Sequence, residues 1–351
     1  MQKNKLWLLS SIVIILILSL ITIWSTVPSL FYTQLSFLVV SLLIVTIVAK
    51  IDISVLFSMS TVIYFFSLAL LVITFLVGRN IRGSVRWIDF GFFNLQTSEL
   101  IKPLLAISYS AFLVSNPIKK TKDFLIFMGI ALVPVLIVAK QPDLGSALTL
   151  LFLPISLLIA SGHTKKIAIG LTIFLCLAIP LESKLLKPYQ KERLETFINP
   201  YKDPKGAGYN VIQATVAVGS GGVFGKGVRL GTQSHLNFLP ERHTDFIFAS
   251  FAEEFGLFGI AVLFFAFFTL FRYCLNIAGR QKEQRQFLLT MSIFFVFLFQ
   301  FVVNVGMNLG IMPVTGITLP LFSYGGSSLI SFAIFIGILI RQLDLLPPIE
   351  I

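Results

Sequence analysis

The chain has 351 residues, of which 56% are hydrophobic and 12% charged, and it carries a formal net charge of +11. A mean hydropathy of +0.92, with a charge content far below the roughly 25% of soluble domains, excludes an ordinary soluble globular protein. The chain reads as an all-α polytopic membrane protein, and no nucleic-acid partner is expected.

Apolar runs of about 17 to 25 residues cross a bilayer as helices. Ten such runs follow one another: 6–24, 30–49, 55–77, 100–115, 124–139, 144–161, 167–181, 246–271, 287–305 and 317–340, the fourth to the seventh being short. The first follows Lys3 and Lys5 and lacks a small-residue cleavage site. It carries Trp7 and Trp24 near its ends, which reads as a retained helix with interfacial anchors. Residues 1–351 are expected to form a single transmembrane domain, with a large extracytoplasmic loop, 182–244, between helices 7 and 8.

Lysines and arginines of the short loops set the orientation. With both termini cytoplasmic, Lys50, Lys119, Lys120, Lys122, Lys165, Lys166, Arg272, Arg280, Lys282, Arg285 and Arg341 lie inside, and the outer turns 25–29 and 306–316 carry none. The exceptions are Arg79, Arg82, Arg86, Lys140 and the long loop, which has nine Lys/Arg against five Asp/Glu. Long loops are largely exempt from the rule. A basic outer surface suits an anionic ligand or anionic lipid head groups. The two cysteines, Cys176 and Cys274, fall on opposite sides of the expected membrane and read as packing residues.

The first three spans lack internal charge and read as scaffold. The first polar cluster is Gly78–Gly91, where Arg79, Arg82 and Arg86 can contact phosphate or sugar; equally, Arg86-Trp87 can be an interfacial snorkelling pair. Ser98 and Glu99 suit a helix start. Lys102, one turn further in, must snorkel, pair with Glu99 or bind an anion. Pro142 and Asp143 fit simple capping, but their loop is expected on the same face as the arginines.

The long loop opens with a charged amphipathic piece, 182–195, that looks like an interfacial helix. It continues with seven glycines between Gly206 and Gly227, a weak signal for a phosphate cradle. It ends in Pro240-Glu241-Arg242-His243-Thr244-Asp245, running straight into an apolar helix. An ionisable group at membrane depth costs several kcal/mol without a partner, so Asp245 is read as functional. Near the C-terminus Pro313, Pro320 and the cluster Ser323–Ser328 interrupt the last span. That implies either a broken helix lining a cavity or close helix packing.

Taken together, these residues resemble the SEDS family (shape, elongation, division and sporulation), bacterial peptidoglycan glycosyltransferases. The matching elements are Arg86-Trp87-Ile88, Ser98-Glu99 with Lys102, Gln141–Gly145, Asp203-Pro204 with Gly208-Tyr209, Gly219–Gly222, Pro240–Ala249, and Leu319-Pro320 with Ser323–Ser327. Gly231–Ser234 with Arg242 looks more like the family's elongation members than its division members. The resemblance implies ten membrane helices, a lipid II substrate and glycan polymerisation on the outer face of the bacterial plasma membrane. It also implies partnership with a class B penicillin-binding protein and other elongation-complex membrane proteins. It makes Asp245 the essential carboxylate, with Lys102 and Asp143 as further cavity residues. Thr97 and Thr33 depart from the pattern, which has a proline after Gln96 and a basic residue before Gln34.

The chemistry needs a base near the acceptor hydroxyl and positive charge near the departing pyrophosphate. Asp245 is the candidate general base, in a desolvated cleft that tunes its pKa upward. Lys102 and the arginines, among them Arg79, Arg82, Arg86 and Arg242, are candidates for the leaving group. Glu99 and Ser323 complete the expected substrate-binding set. A divalent cation such as Mg2+ or Mn2+ could act through Asp143 or Asp245, although the sequence shows no all-protein metal cage. One catalytic carboxylate rather than a close pair implies an inverting displacement. Two other readings are a lipid II flippase, which needs polar groups through the midplane, and a non-catalytic scaffold of the cell-wall complex.

Overall fold

The computed structural model describes residues 2–81, 84–91, 93–167, 193, 195–206 and 208–346. Its helices are α1 (Gln2–Thr26), α2 (Phe31–Val48), α3 (Ile53–Ser58), α4 (Ser60–Val77), α5 (Thr97–Ser115), α6 (Thr121–Lys140), α7 (Leu144–Ala160), α8 (Tyr209–Ser220), α9 (Thr232–His235), α10 (Ile247–Gly279), α11 (Gln284–Asn308) and α12 (Gly326–Leu345). Between α4 and α5 lies a small antiparallel sheet, β1 (Arg79–Ile81), β2 (Ser84–Asp89) and β3 (Asn94–Gln96), in the order β1-β2-β3.

In hydrocarbon every backbone N–H and C=O must be satisfied within the protein, and a helix does this locally. Seven described helices are long and apolar enough to span: Lys5–Thr26, Pro28–Val48, Ser60–Val77, Thr121–Lys140, Ile247–Gly279, Gln284–Asn308 and Gly326–Leu345. α7 is shorter and apolar, and α5 carries Glu99 and Lys102 in its first two turns. The chain is therefore a multi-pass, almost wholly helical membrane protein. All of the expected seventh span after Ile167, Cys176 among it, and all of the charged piece 182–195 but residues 193 and 195 lie outside the described residues.

α12 is the central helix, packed on α2 and α5, while α1 packs on α10 and α10 on α11. The outer helices turn apolar side chains away from the protein, as at Phe65 on α4. Such surface would be a liability in water, and lipid solvates it.

Three spans differ from their sequence reading. The run 55–77 is two helices parted at Met59, the first capped by Asp52, whose carboxylate accepts from Ser54 N (3.0 Å). The run 317–340 becomes helical only at Gly326. The prolines of 309–325 break the helix, and neighbouring elements satisfy the freed groups: Leu319 N donates to Ser323 Oγ (2.8 Å), Tyr324 N to His243 O (2.9 Å), and Asn304 Nδ2 to Ile317 O (2.8 Å).

The eighth span runs on to Gly279 and is kinked at Gly256, whose φ is 62°. A kink there separates the carbonyls of Glu253 and Glu254 from the amides of Leu257 and Phe258, their ordinary i+4 partners. The glycine-rich segment takes over both sides. Leu257 N and Phe258 N donate to Gly222 O (2.9 Å) and Val223 O (3.0 Å), while Lys226 N and Gly227 N donate to Glu253 O and Glu254 O (3.0 Å each). A Cβ on Gly225 would lie 2.1 Å from Glu254 O. These glycines therefore serve close backbone approach, with the amides of Lys226 and Gly227 engaged by protein carbonyls.

Candidate active site

One end of the bundle gathers the β-sheet, the start of α7, the turn before α10 and the broken segment before α12. Between them lies a cavity of ≈ 500 Å3 whose wall includes Arg86, Asp143, Arg193, Glu241, His243 and Asp245. Threonine, serine and glycine from 315–328 form the opposite wall.

Asp143 caps α7 by accepting from Ser146 N (3.2 Å). The same carboxylate accepts from Gln96 Nε2 (3.0 Å) and lies 3.3 Å from the Arg86 guanidinium. Capping and convergence are thus one arrangement, with β2 bringing Arg86 across to the helix start. Gly145 lets the far wall close up, since a Cβ there would lie 2.5 Å from Thr315 O.

Asp245 is half-buried in the wall of the cavity. Burial first, and then the neighbouring Glu241 carboxylate, push its pKa up from 3.8 to about 6, with Arg86 and Arg193 pulling the other way. Its backbone carbonyl is held from α11 by Asn304 Nδ2 (3.1 Å) and Asn308 Nδ2 (3.0 Å). Asn308 Oδ1 also accepts from Ala249 N (3.0 Å), satisfying a donor of the first turn of α10. Two buried amides spaced i, i+4 on one helix face thereby fix both Asp245 and the helix that follows it.

Other expected residues sit elsewhere. Lys102 and Glu99 do not line the cavity. Both are buried and paired at 2.6 Å, with the ammonium 5.3 Å from the Phe332 ring centre. Arg242 turns to the end of α1, donating from Nε to Thr26 O (3.3 Å), and its guanidinium also bonds Asn237. Ser323 supports the wall from behind, donating to Thr244 O (2.8 Å). The backbone of Arg79 pairs with that of Trp87, and its side chain and all of Arg82 lie outside the description.

The sequence reading passed over Arg193 and His243 in the wall and over Asn304 and Asn308 behind it. For the asparagines a signal exists: two amides four residues apart in an otherwise apolar membrane helix must find partners across helices. Among the described residues no three His, Cys, Asp or Glu side chains are grouped to hold a metal. The oxygens of Asp143 already face an arginine and amide donors. These residues do not form a cage for Mg2+ or Mn2+.

The family model described as "Cell cycle protein", which joins FtsW, RodA and SpoVE, matches residues 3–344. The peptidoglycan glycosyltransferase MrdB of Escherichia coli K12 is 38% identical over 339 residues, covering 92% of this chain and 89% of the relative. A probable peptidoglycan glycosyltransferase FtsW of Tolumonas auensis is 37% identical, covering 78% of this chain and 73% of the relative. A chain from a study of how a peptidoglycan synthase complex coordinates polymerization and crosslinking superposes with a TM-score of 0.84 at 31% identity, covering 96% of this chain and 97% of its own. The rod shape determining protein RodA of Thermus thermophilus superposes with a TM-score of 0.73 at 28% identity, covering 96% of each chain. With the matched residues running almost end to end, this chain belongs to the FtsW/RodA/SpoVE family, the SEDS proteins.

Proposed function

We propose that the chain is a peptidoglycan glycosyltransferase that polymerises lipid II during cell elongation, on the outer face of the plasma membrane. The observation that carries this reading is the carboxylate of Asp245, set in a cavity wall with its pKa raised to about 6 and with Arg86 and Arg193 acting on it. Raised to that value, Asp245 is ionised at neutral pH yet basic enough to take the proton of an acceptor hydroxyl. As the hydroxyl oxygen bonds to the donor's anomeric carbon, the bond from that carbon to the pyrophosphate oxygen breaks. The pyrophosphate leaves with the electron pair, and Arg86 and Arg193 stabilise its charge. With one carboxylate acting, the displacement inverts the anomeric centre. Asp143 acts by holding Arg86 in place.

In this reading residues 1–351 act as one unit, both termini are cytoplasmic, and the cavity faces outward. A class B penicillin-binding protein crosslinks the product, alongside other elongation-complex membrane proteins. The test is polymerisation of purified lipid II with the partner present, comparing wild type with Asp245→Asn and Asp245→Ala. Polymer from wild type alone, with both variants folded and partner-bound, is the expected result. Equal polymer from all three removes Asp245 as the base, and none from a competent wild-type complex turns the reading towards a flippase.

A further inference from the structure

At the end of α5 remote from the cavity, 19 residues and roughly 28 Å away along the helix, lies a second pocket of ≈ 380 Å3. Its walls are of two kinds. Phe112 of α5 and Ile126 of α6 supply an apolar side, and Ser115, Asn116 and Lys119 supply a polar one.

Cations reach this place from three separate parts of the chain. Lys119 belongs to the turn between α5 and α6. Lys166 follows α7 and is close enough for its charge to act on Asp123. Arg285, in the first turn of α11, donates from Nη2 to Ser115 Oγ (3.3 Å). The acid in the wall, Asp123, already accepts from Lys119 N (3.0 Å) and Lys120 N (2.8 Å) as the cap of α6. Glu283, beside Arg285, accepts from Gln286 Nε2 (3.2 Å). The rim is tied together in advance, because the His163 ring bonds both Ser161 Oγ (3.0 Å) and the carbonyl of Ile118 (3.1 Å).

A general excess of lysine and arginine in loops on one side of a membrane explains the number of these charges. It does not explain a preformed hollow with an apolar wall and cations at its mouth. Such a hollow matches a ligand that is apolar at one end and anionic at the other, and basic pockets between membrane helices bind phosphate-bearing lipid head groups. We propose that this pocket binds the headgroup of an anionic phospholipid, with Lys119 and Arg285 contacting the phosphate and an acyl chain lying along Phe112 and Ile126.

The full chain is purified into nanodiscs of phosphatidylcholine containing a minority of phosphatidylglycerol, and retained lipid is counted by native mass spectrometry while phosphatidylglycerol is titrated. Wild type retains phosphatidylglycerol selectively. The pair Lys119→Gln/Arg285→Gln, both at exposed positions, weakens retention by roughly 30-fold, the factor that two interfacial cations together supply. The charge-keeping pair Lys119→Arg/Arg285→Lys retains it. The control pair Lys50→Gln/Arg272→Gln, which removes the same charge from a turn and from α10, outside the pocket lining, leaves retention unchanged. Equal loss in the pocket and control pairs, or no selectivity in wild type, overturns the proposal. Displacement of the lipid by inorganic phosphate assigns the site to a soluble anion and overturns the lipid as its ligand. Because the readout is bound lipid, it is independent of glycosyl transfer.

Discussion

At the scale of single residues, the environment of Asp245 sets a pH dependence with a definite sign. A general base works as its carboxylate, so polymerisation falls as pH drops through about 6 and is level above it. Glu241 pushes that value up and Arg86 pulls it down. Initial rates measured across pH 5 to 8, roughly the range in which such a group titrates, are therefore expected to show a lower midpoint in Glu241→Gln. A higher midpoint is expected in Arg86→Gln, together with a lower rate. The same burial bears on stability. A carboxyl harder to ionise in the folded protein than in the unfolded chain costs stability once pH rises through the interval from 3.8 to about 6. At pH 7, Asp245→Asn is expected to melt no earlier than wild type, which intrinsic-fluorescence melting would check; a lower midpoint would contradict the burial argument.

At the scale of elements, two devices hold the site, and they fail differently. The α11 asparagines position Asp245 through its backbone. Asn308→Ala leaves the Ala249 amide and the Asp245 carbonyl each short of a partner, at a cost of about 1–3 kcal/mol. Its expected signature is a fall in kcat larger than any change in KM, with a lower Tm, because the base is misplaced while the substrate wall is intact. The kink at Gly256 anchors the glycine-rich loop instead. A Cβ there would meet Gly225 N at 2.3 Å, and a positive φ of 62° with ψ −163° adds roughly 1–3 kcal/mol of strain for a side chain. Gly256→Ala should therefore lower the melting temperature and raise limited proteolysis between 221 and 236, where the loop comes off the helix.

At the scale of the whole molecule, alternate passage of the helices puts the β-sheet, the start of α7, the turn before α10 and the segment before α12 at one end of the bundle, and the lysine-rich turns at the other. Scanning with single cysteines and a membrane-impermeant thiol reagent on intact cells is expected to label Asn237→Cys and spare Lys119→Cys. The reverse pattern would invert the orientation. Of the native cysteines, Cys274 is buried and should stay silent in that assay.

By itself the sequence determined the class of protein, since runs of apolar residues long enough to cross a bilayer leave the backbone little choice but helix. It also marked Asp245, because a carboxylate beside a membrane helix is costly enough to stand out. The convergence of Arg86 and Asp143 was legible in part, as charges expected on one face. Only the tertiary structure decided that Lys102 and Glu99 pair with each other outside the cavity lining, that Arg242 holds the end of α1, and that Asn304 and Asn308 hold Asp245. It alone showed the glycine-rich run repairing the hydrogen bonds of a kinked helix. The reason is physical: composition and period fix what a segment must bury, whereas the partner of a buried polar group depends on which helices pack together, and that is set by contacts between residues far apart in the chain.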